Sequence, residues 1–373
     1  MGDKLIEQRL KAIILAEKGP CDFLTFFRET PLDDHVDEIN RSQAVLMPAF
    51  PVRDTPMYPG TYRLVPDLAR ISVPMIPVGA NWNTYPGDDL SAGSVVYSEE
   101  TVSFLHRIAG QVNHVSCREY GVMSVLRRHG VTNLLMTGDP ACFDLPSLGQ
   151  PMARPSAVRR VVFSPPLSPY YADQAERIMA TVAELFPLAE RFCAMHLADR
   201  ATSPGGRTEN SAAMLPAVAR KSQRIRQCAA SLGFTVWELA GNAAGMSAYD
   251  TCDLHVGYEC HAHLYFLSKR IPSLLIAEDA RGHGFNYTLG TGGISGFKRA
   301  TNRSPATRKK ITSGYCTTTE ELAIAPPRTD AHLDVRAFLL EELESGFRRY
   351  TGIASQLDEL YERVMAPFIR SLP

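Results

Sequence analysis

Apolar positions in the first twenty residues recur at helical spacing. Leu5, Ile6, Leu10, Ile13 and Ile14 share one face, which predicts an amphipathic helix over residues 4–18, capped by Asp3 and stopped by Gly19-Pro20. The pattern then changes to short apolar runs closed by Pro or Gly. Residues 44–47 and 73–78 read as buried parallel strands, with a Pro-rich loop from Pro48 to Pro66 between them. A helix near 99–109, a strand over 113–117, a helix carrying Val122, Val125 and Leu126, and a strand over 132–136 come next. Residues 144–160 hold three prolines and no periodicity, so a linker is predicted there. A second series follows: strand 161–163, helix 171–186, strand 192–197, the loop from Thr202 to Gly206, helix 211–232, strand 235–239, short helix 244–250, strand 253–256, helix 259–269 and strand 273–276. Helices over 332–347 and 352–370 close the chain.

Alternating strands and helices predict an α/β chain with parallel, doubly wound sheets. At ~150 residues per domain, 373 residues suggest two Rossmann-like doubly wound domains facing across a cleft. The expected boundaries are 1–150 and 160–330, with the helices of 331–373 packing across both. The first domain opens on a helix where a strand is expected, so the start codon is placed late or that strand is absent.

Composition narrows the class. Hydrophobic residues at 45% and charged residues at 21% are those of an ordinary globular protein. Lys+Arg 39 against Asp+Glu 40 leaves a net charge of -1, so no global field draws the chain to nucleic acid. No apolar run approaches the ~20 residues of a membrane span. The eight cysteines include no Cys-x-x-Cys pair, which reads as reduced thiols in the cytoplasm and no zinc ribbon.

Ligands in doubly wound sheets bind at the carboxyl ends of strands, so the loops after strands carry the candidate chemistry. The densest is the run from Asp253 to His263. A buried strand ends at Gly257 and a helix starts within two residues, offering free N–H groups to an anion. His261, in the first turn, suits acid/base work or a phosphate contact; a packed strand–helix turn is the alternative. His261 and His263 are two apart and diverge on a helix, which argues against a metal site. After the next strand, Asp279 and Arg281 stand at a second such loop, where Arg281 either clamps an anion or belongs to a solvated turn. Arg118, where another strand meets a helix, reaches into the cleft or pairs with a neighbour such as Glu119. The glycines from Gly290 to Gly296 lack phosphate-loop spacing and read as a mobile loop. The basic run Lys298, Arg299, Arg303, Arg308 and Lys310 suits a phosphorylated lipid carrier, a sugar nucleotide or a solvated loop.

These residues, in order, resemble the polysaccharide pyruvyl transferase family. Gly2-Asp3-Lys4-Leu5-Ile6 is similar to its early Asn-x-Gly-Asp turn and helix. Asn40 through Met47, Met57-Tyr58-Pro59-Gly60 and Ile76-Pro77-Val78-Gly79 follow its next strands and loops. Ser116-Cys117-Arg118-Glu119 resembles its Ser-x-Arg-Glu motif, and Gly138-Asp139-Pro140-Ala141 its Gly-Cys/Asp-Pro-Ser/Ala turn. The strongest stretch runs from Val256 to His263, followed by Leu267-Ser268 and Ile271-Pro272.

The resemblance implies a glycosyltransferase-B-like fold. It implies transfer of a pyruvyl group from phosphoenolpyruvate to two hydroxyls of a sugar in a surface glycan or its precursor, forming a ketal. His261 then matches the motif histidine and Arg118 the motif arginine, with Gly257, Glu259, His263, Asp279, Arg281 and Lys298 as the remaining substrate contacts. Phosphoenolpyruvate is a substrate, so neither cofactor nor metal is implied. The partners are a small donor and a sugar or glycan acceptor, with membrane association where that acceptor is lipid-linked. No feature speaks to oligomeric state. One position departs from the family: Glu259 stands where it usually has Arg, two residues before the histidine. A carboxylate ~4 Å from a substrate phosphate costs about 4 kcal/mol at an effective dielectric near 20, about a thousandfold in affinity. Arg281 or Lys298 is the expected substitute cation. A sugar-nucleotide glycosyltransferase on the same scaffold, or a catalytically silent glycan-binding paralogue, are the alternatives.

Overall fold

A computed structural model describes residues 2–53, 57–196, 209–240, 244–300, 316 and 318–373. The Thr202–Gly206 loop and the basic residues Arg303, Arg308 and Lys310 lie outside the described residues. The strands are β1 (Val45–Pro48), β2 (Pro51–Val52), β3 (Met75–Val78), β4 (Asn81–Trp82), β5 (Val115–Cys117), β6 (Leu134–Met136), β7 (Arg160–Ser164), β8 (Glu190–Met195), β9 (Phe234–Glu238), β10 (Leu254–Gly257), β11 (Ser273–Ala277) and β12 (Ile294–Ser295).

The fold is mixed α/β around a parallel six-stranded sheet in the order β12-β11-β10-β7-β8-β9. Counted along the chain from β7, this is strand order 3-2-1-4-5-6, which reverses direction between β7 and β10. Val161, Val162 and Phe163 have no exposed surface, and β10 and β11 are buried along their whole length. That burial on both faces accounts for the apolar runs at Val161–Phe163 and Leu274–Ala277. Earlier in the chain β1 pairs with β3, β2 with β4 and β5 with β6, all parallel. A parallel bridge between Ala80 and Cys117 ties β5 to the segment following β3.

The first helix, Gly2–Lys18, buries the predicted five apolar side chains and packs against the last one, Ala366–Ser371. The helix Cys260–Ser268 is buried on every side. It packs against the turn Pro140–Cys142, so the Gly-Asp-Pro-Ala segment and the His261 segment meet although some 120 residues separate them. No helix among the described residues is long and apolar enough to cross a membrane.

Two expectations are corrected. The segment from Ala280 is not a solvated turn but a helix, Ala280–Leu289, started by the Asp279 carboxylate, which accepts the N–H of Arg281 at 2.9 Å and of Gly282 at 3.4 Å. The Gly290–Gly296 stretch is not simply a mobile loop. Gly290 ends that helix in the left-handed conformation, and Ile294–Ser295 adds β12 to the sheet edge. Two consecutive residues are too short to register as a strand in the apolar pattern.

The reversal point depends on one glycine. A Cβ on Gly257 would lie 2.3 Å from the Ser164 carbonyl oxygen and 2.6 Å from its nitrogen, both backbone atoms of the neighbouring strand. Gly257→Ala is therefore expected to destabilise the fold by roughly 3 kcal/mol and to lower the thermal midpoint by several degrees. An unchanged midpoint would show that β7 and β10 separate easily.

Candidate active site

A cleft of about 300 Å³ opens at the carboxyl ends of the strands. Ala49 follows β1, Pro51 opens β2 and Arg53 follows it, Asn81 and Asn83 lie at β4, and Arg118 follows β5. Leu167 follows β7, His196 follows β8, Glu259 and His261 follow β10, and Arg281 follows β11. Gly2 and Asp3, at the start of the first helix, and Arg28 complete the wall. The lining thus carries four arginines, two histidines and two carboxylates.

His261 is fixed in its first helical turn on two sides. Its Nδ1 lies 3.0 Å from Glu259 Oε1, and Gly2 packs so closely against the ring that a Cβ there would come within 2.1 Å of Nδ1. An ionised carboxylate only accepts, so Nδ1 carries the hydrogen and Nε2 is left to exchange a proton. Nε2 is buried without a partner. Burial works to raise the Glu259 carboxyl, but the hydrogen bond from His261 and the nearby charges of His261 and Arg281 outweigh it and hold the group well below the ordinary carboxylate range. The Glu259 carboxylate also accepts the His261 N–H at 3.4 Å as the cap of its helix. The departure from the family pattern is therefore an acid committed to the histidine beside it. With a protonated ring the pair is neutral, which removes most of the repulsion expected of a lone carboxylate.

The arginines are held differently. Arg118 donates from Nη1 to Asp139 at 3.1 Å, with side-chain exposures of 2% and 0%, and its guanidinium stacks 4.7 Å from the Phe285 ring centre. Its Nε and Nη2 are buried without partners. Arg281 donates from Nε to both Asp279 oxygens, at 3.2 and 3.1 Å. Arg28 donates to Asp3 and Glu29, each at 3.0 Å. Arg53 makes no ion pair among the described residues, and its Nε is buried and unpaired, as is Asn83 Oδ1. His196 bonds to the Tyr249 hydroxyl, and burial lowers it to about 4, so it is neutral near pH 7. Unpaired buried donors and acceptors facing one cleft are the mark of a binding site.

Of the predicted site residues, His261, Arg118, Glu259 and Arg281 line this cleft. Gly257, His263, Asp279 and Lys298 do not. Gly257 is packed against Ser164. His263 faces the interior from the far side of the helix, fully buried, its Nδ1 2.7 Å from Ser273 Oγ. Asp279 is occupied by the helix start and by Arg281. Lys298 is exposed after the edge strand β12, away from the point of strand reversal. Sequence reasoning passed over Arg28, Arg53, Asn81, Asn83 and His196, and used Asp3 only as a helix cap. His196 follows β8 directly, so the carboxyl-end rule that found Arg118 would have reached it.

Comparison with known proteins bears on this cleft. Residues 52–193 match the polysaccharide pyruvyl transferase family. The resemblance read from the residues holds over that span, which contributes Arg53, Asn81, Asn83, Arg118 and Leu167 to the cleft. His196, Glu259, His261 and Arg281 lie beyond it. The pyruvyl transferase match supports a transferase that modifies polysaccharide. No curated protein matches the chain. Among solved structures, "S. aureus MnaA-UDP co-structure" is similar at 11% identity and a TM-score of 0.42, over 95% of this chain and 89% of that one. Among the described residues no group of three or more His, Cys, Asp or Glu side chains is placed to hold a metal ion.

Proposed function

We propose that the chain transfers the pyruvyl group of phosphoenolpyruvate to two hydroxyls of a sugar, releasing phosphate and forming a cyclic ketal. The observation that carries this reading is an arginine-lined cleft holding a histidine with one nitrogen on a carboxylate and the other without a partner. Phosphoenolpyruvate presents a phosphate and a carboxylate, which need the arginines; its enol methylene needs a proton, which His261 Nε2 supplies. Protonation at that methylene builds positive charge on the adjacent carbon, and a sugar hydroxyl attacks there, returning a proton to Nε2. Loss of phosphate then regenerates the cation, the second hydroxyl attacks it, and the proton of that hydroxyl leaves with the phosphate as hydrogen phosphate, the departing charge being met by arginines. Asn83 Oδ1, an unpaired acceptor in a wall of donors, suits a hydroxyl.

The reading includes a glycosyltransferase-B-like pair of Rossmann-like domains, residues 1–150 and 160–330. The strand order of the six-stranded sheet and a cleft lined from both segments support it. The acceptor is a sugar of a surface glycan or its precursor, and a lipid-linked acceptor brings the cytoplasmic protein to the inner membrane face.

Thermal-shift titration tests the donor. A ligand at 100 times its dissociation constant adds ~2.7 kcal/mol, which raises the midpoint by a few degrees. Phosphoenolpyruvate is expected to do so, and to release phosphate when a sugar acceptor is added. A shift with a UDP-, GDP- or CMP-sugar and none with phosphoenolpyruvate would replace this reading by a glycosyltransferase. No shift with any of them would leave a silent glycan-binding protein.

A further inference from the structure

Among the four arginines of the cleft, Arg53 stands apart. Arg28, Arg118 and Arg281 each donate to a carboxylate, so their charges are at least partly balanced within the fold. Arg53 forms no ion pair among the described residues, its Nε is buried without an acceptor, and it follows β2 directly into the cleft. Its neighbours do not compensate it. Burial lowers its pKa, and the positive charges of Arg28 and Arg281 lower it further. Glu29 is the acid acting on it in return, and Glu29 already accepts from Arg28 at 3.0 Å. A half-buried guanidinium facing two more of its own sign, with a donor unused, is an arrangement that a bound anion resolves.

We infer that Arg53 is an oxyanion anchor of the cleft, holding a phosphate group, and that it supplies the cation which Glu259 removes from the family pattern. Arg281 is tied to Asp279 and Lys298 is away from the cleft, so neither expected substitute serves as well. The assignment rests on the pyruvyl-transfer reading for the source of the phosphate, the donor before transfer or the free product after it. A guanidinium can bind two oxygens of one phosphate at once through its planar fork, a geometry lysine does not reproduce.

The test is calorimetric titration of the full chain with inorganic phosphate, and separately with phosphoenolpyruvate, at low ionic strength. Arg53→Gln is expected to weaken phosphate roughly tenfold to a hundredfold, the range of a charge-assisted hydrogen bond. Arg53→Lys should recover part of that loss, and Lys298→Gln should leave affinity within about twofold. An unchanged midpoint in thermal unfolding checks that Arg53→Gln folds. Wild-type protein that binds no phosphate, or Arg53→Gln that binds it as tightly as wild type, would overturn the assignment. Phosphate binding that depends on Arg53 in a protein that never consumes phosphoenolpyruvate would keep the anchor and remove the pyruvyl-transfer reading, so the two fail separately.

Discussion

Replacing His261 by alanine is expected to reduce turnover of phosphoenolpyruvate by about a hundredfold to ten-thousandfold, the usual contribution of a positioned acid/base. Donor affinity should change far less, because the arginines that hold the anions are untouched. Glu259→Gln gives the sharper test. The carboxylate at position 259 only accepts, so it keeps the hydrogen on Nδ1 and leaves Nε2 for the substrate. An amide in its place can donate to Nδ1 and put the hydrogen on Nε2, the wrong form to take a proton from the attacking hydroxyl. Glu259→Gln is thus expected to lower kcat markedly with little change in KM for the donor and to alter the pH profile of kcat. Glu259→Asp keeps the charge and should recover part of the rate. Turnover of His261→Ala within about threefold of wild type would remove the acid/base role altogether. Because Glu259 is held well below the ordinary carboxylate range, it stays ionised through pH 5–8, so its own titration should not shape the profile in that window.

The residues that carry this argument were partly legible in the sequence, for a definite reason. Buried parallel strands read as apolar runs, and the residue after each run falls at the cleft, which is how Arg118, Glu259, His261 and Arg281 were found. The errors share a cause. At three of these turns an acid lies beside the basic side chain, and at two of them, Glu259 with His261 and Asp279 with Arg281, sequence alone assigned both to substrate. The structure divides the work: Glu119, Glu259 and Asp279 each start a helix by accepting backbone N–H groups. The cation or imidazole beside each then faces the cleft. Glu119 accepts from Val122 N–H at 3.0 Å, and Asp279 is buried to 1% exposure, so neither is free for ligand. His263 was misplaced because a helix buried on all sides has no polar face to mark which histidine looks outward. Arg53 and Asn83 gave too little signal, since strands of two residues leave no periodicity. The departure at Glu259 looked like a bare lost cation because sequence alone did not show its carboxylate bonded to the ring of His261, two residues on.

Arg118→Met is the second substitution with a large expected effect, and it separates binding from folding. Arg118 and Asp139 form an ion pair with almost no exposure. Removing the guanidinium leaves the Asp139 carboxylate buried with its backbone contact to Ala141 N–H at 2.9 Å and no opposite charge. Breaking such a pair costs about 3–5 kcal/mol, enough to lower the unfolding midpoint by roughly 5–10 °C. The stacking of the guanidinium on Phe285 is lost as well, although methionine retains contact with the ring. A loss of phosphoenolpyruvate binding in this variant alone would therefore be ambiguous. The double variant Arg118→Met, Asp139→Asn resolves it. Asparagine still accepts from Ala141 N–H but carries no charge, so most of the lost stability should return, since replacing both members of a buried pair is often close to neutral. Donor binding should not return, because the Arg118 guanidinium, which lines the cleft and has two nitrogens without a partner, is still missing. Recovery of both stability and binding in the double variant would assign Arg118 to the fold and leave the anion to Arg53 and Arg281.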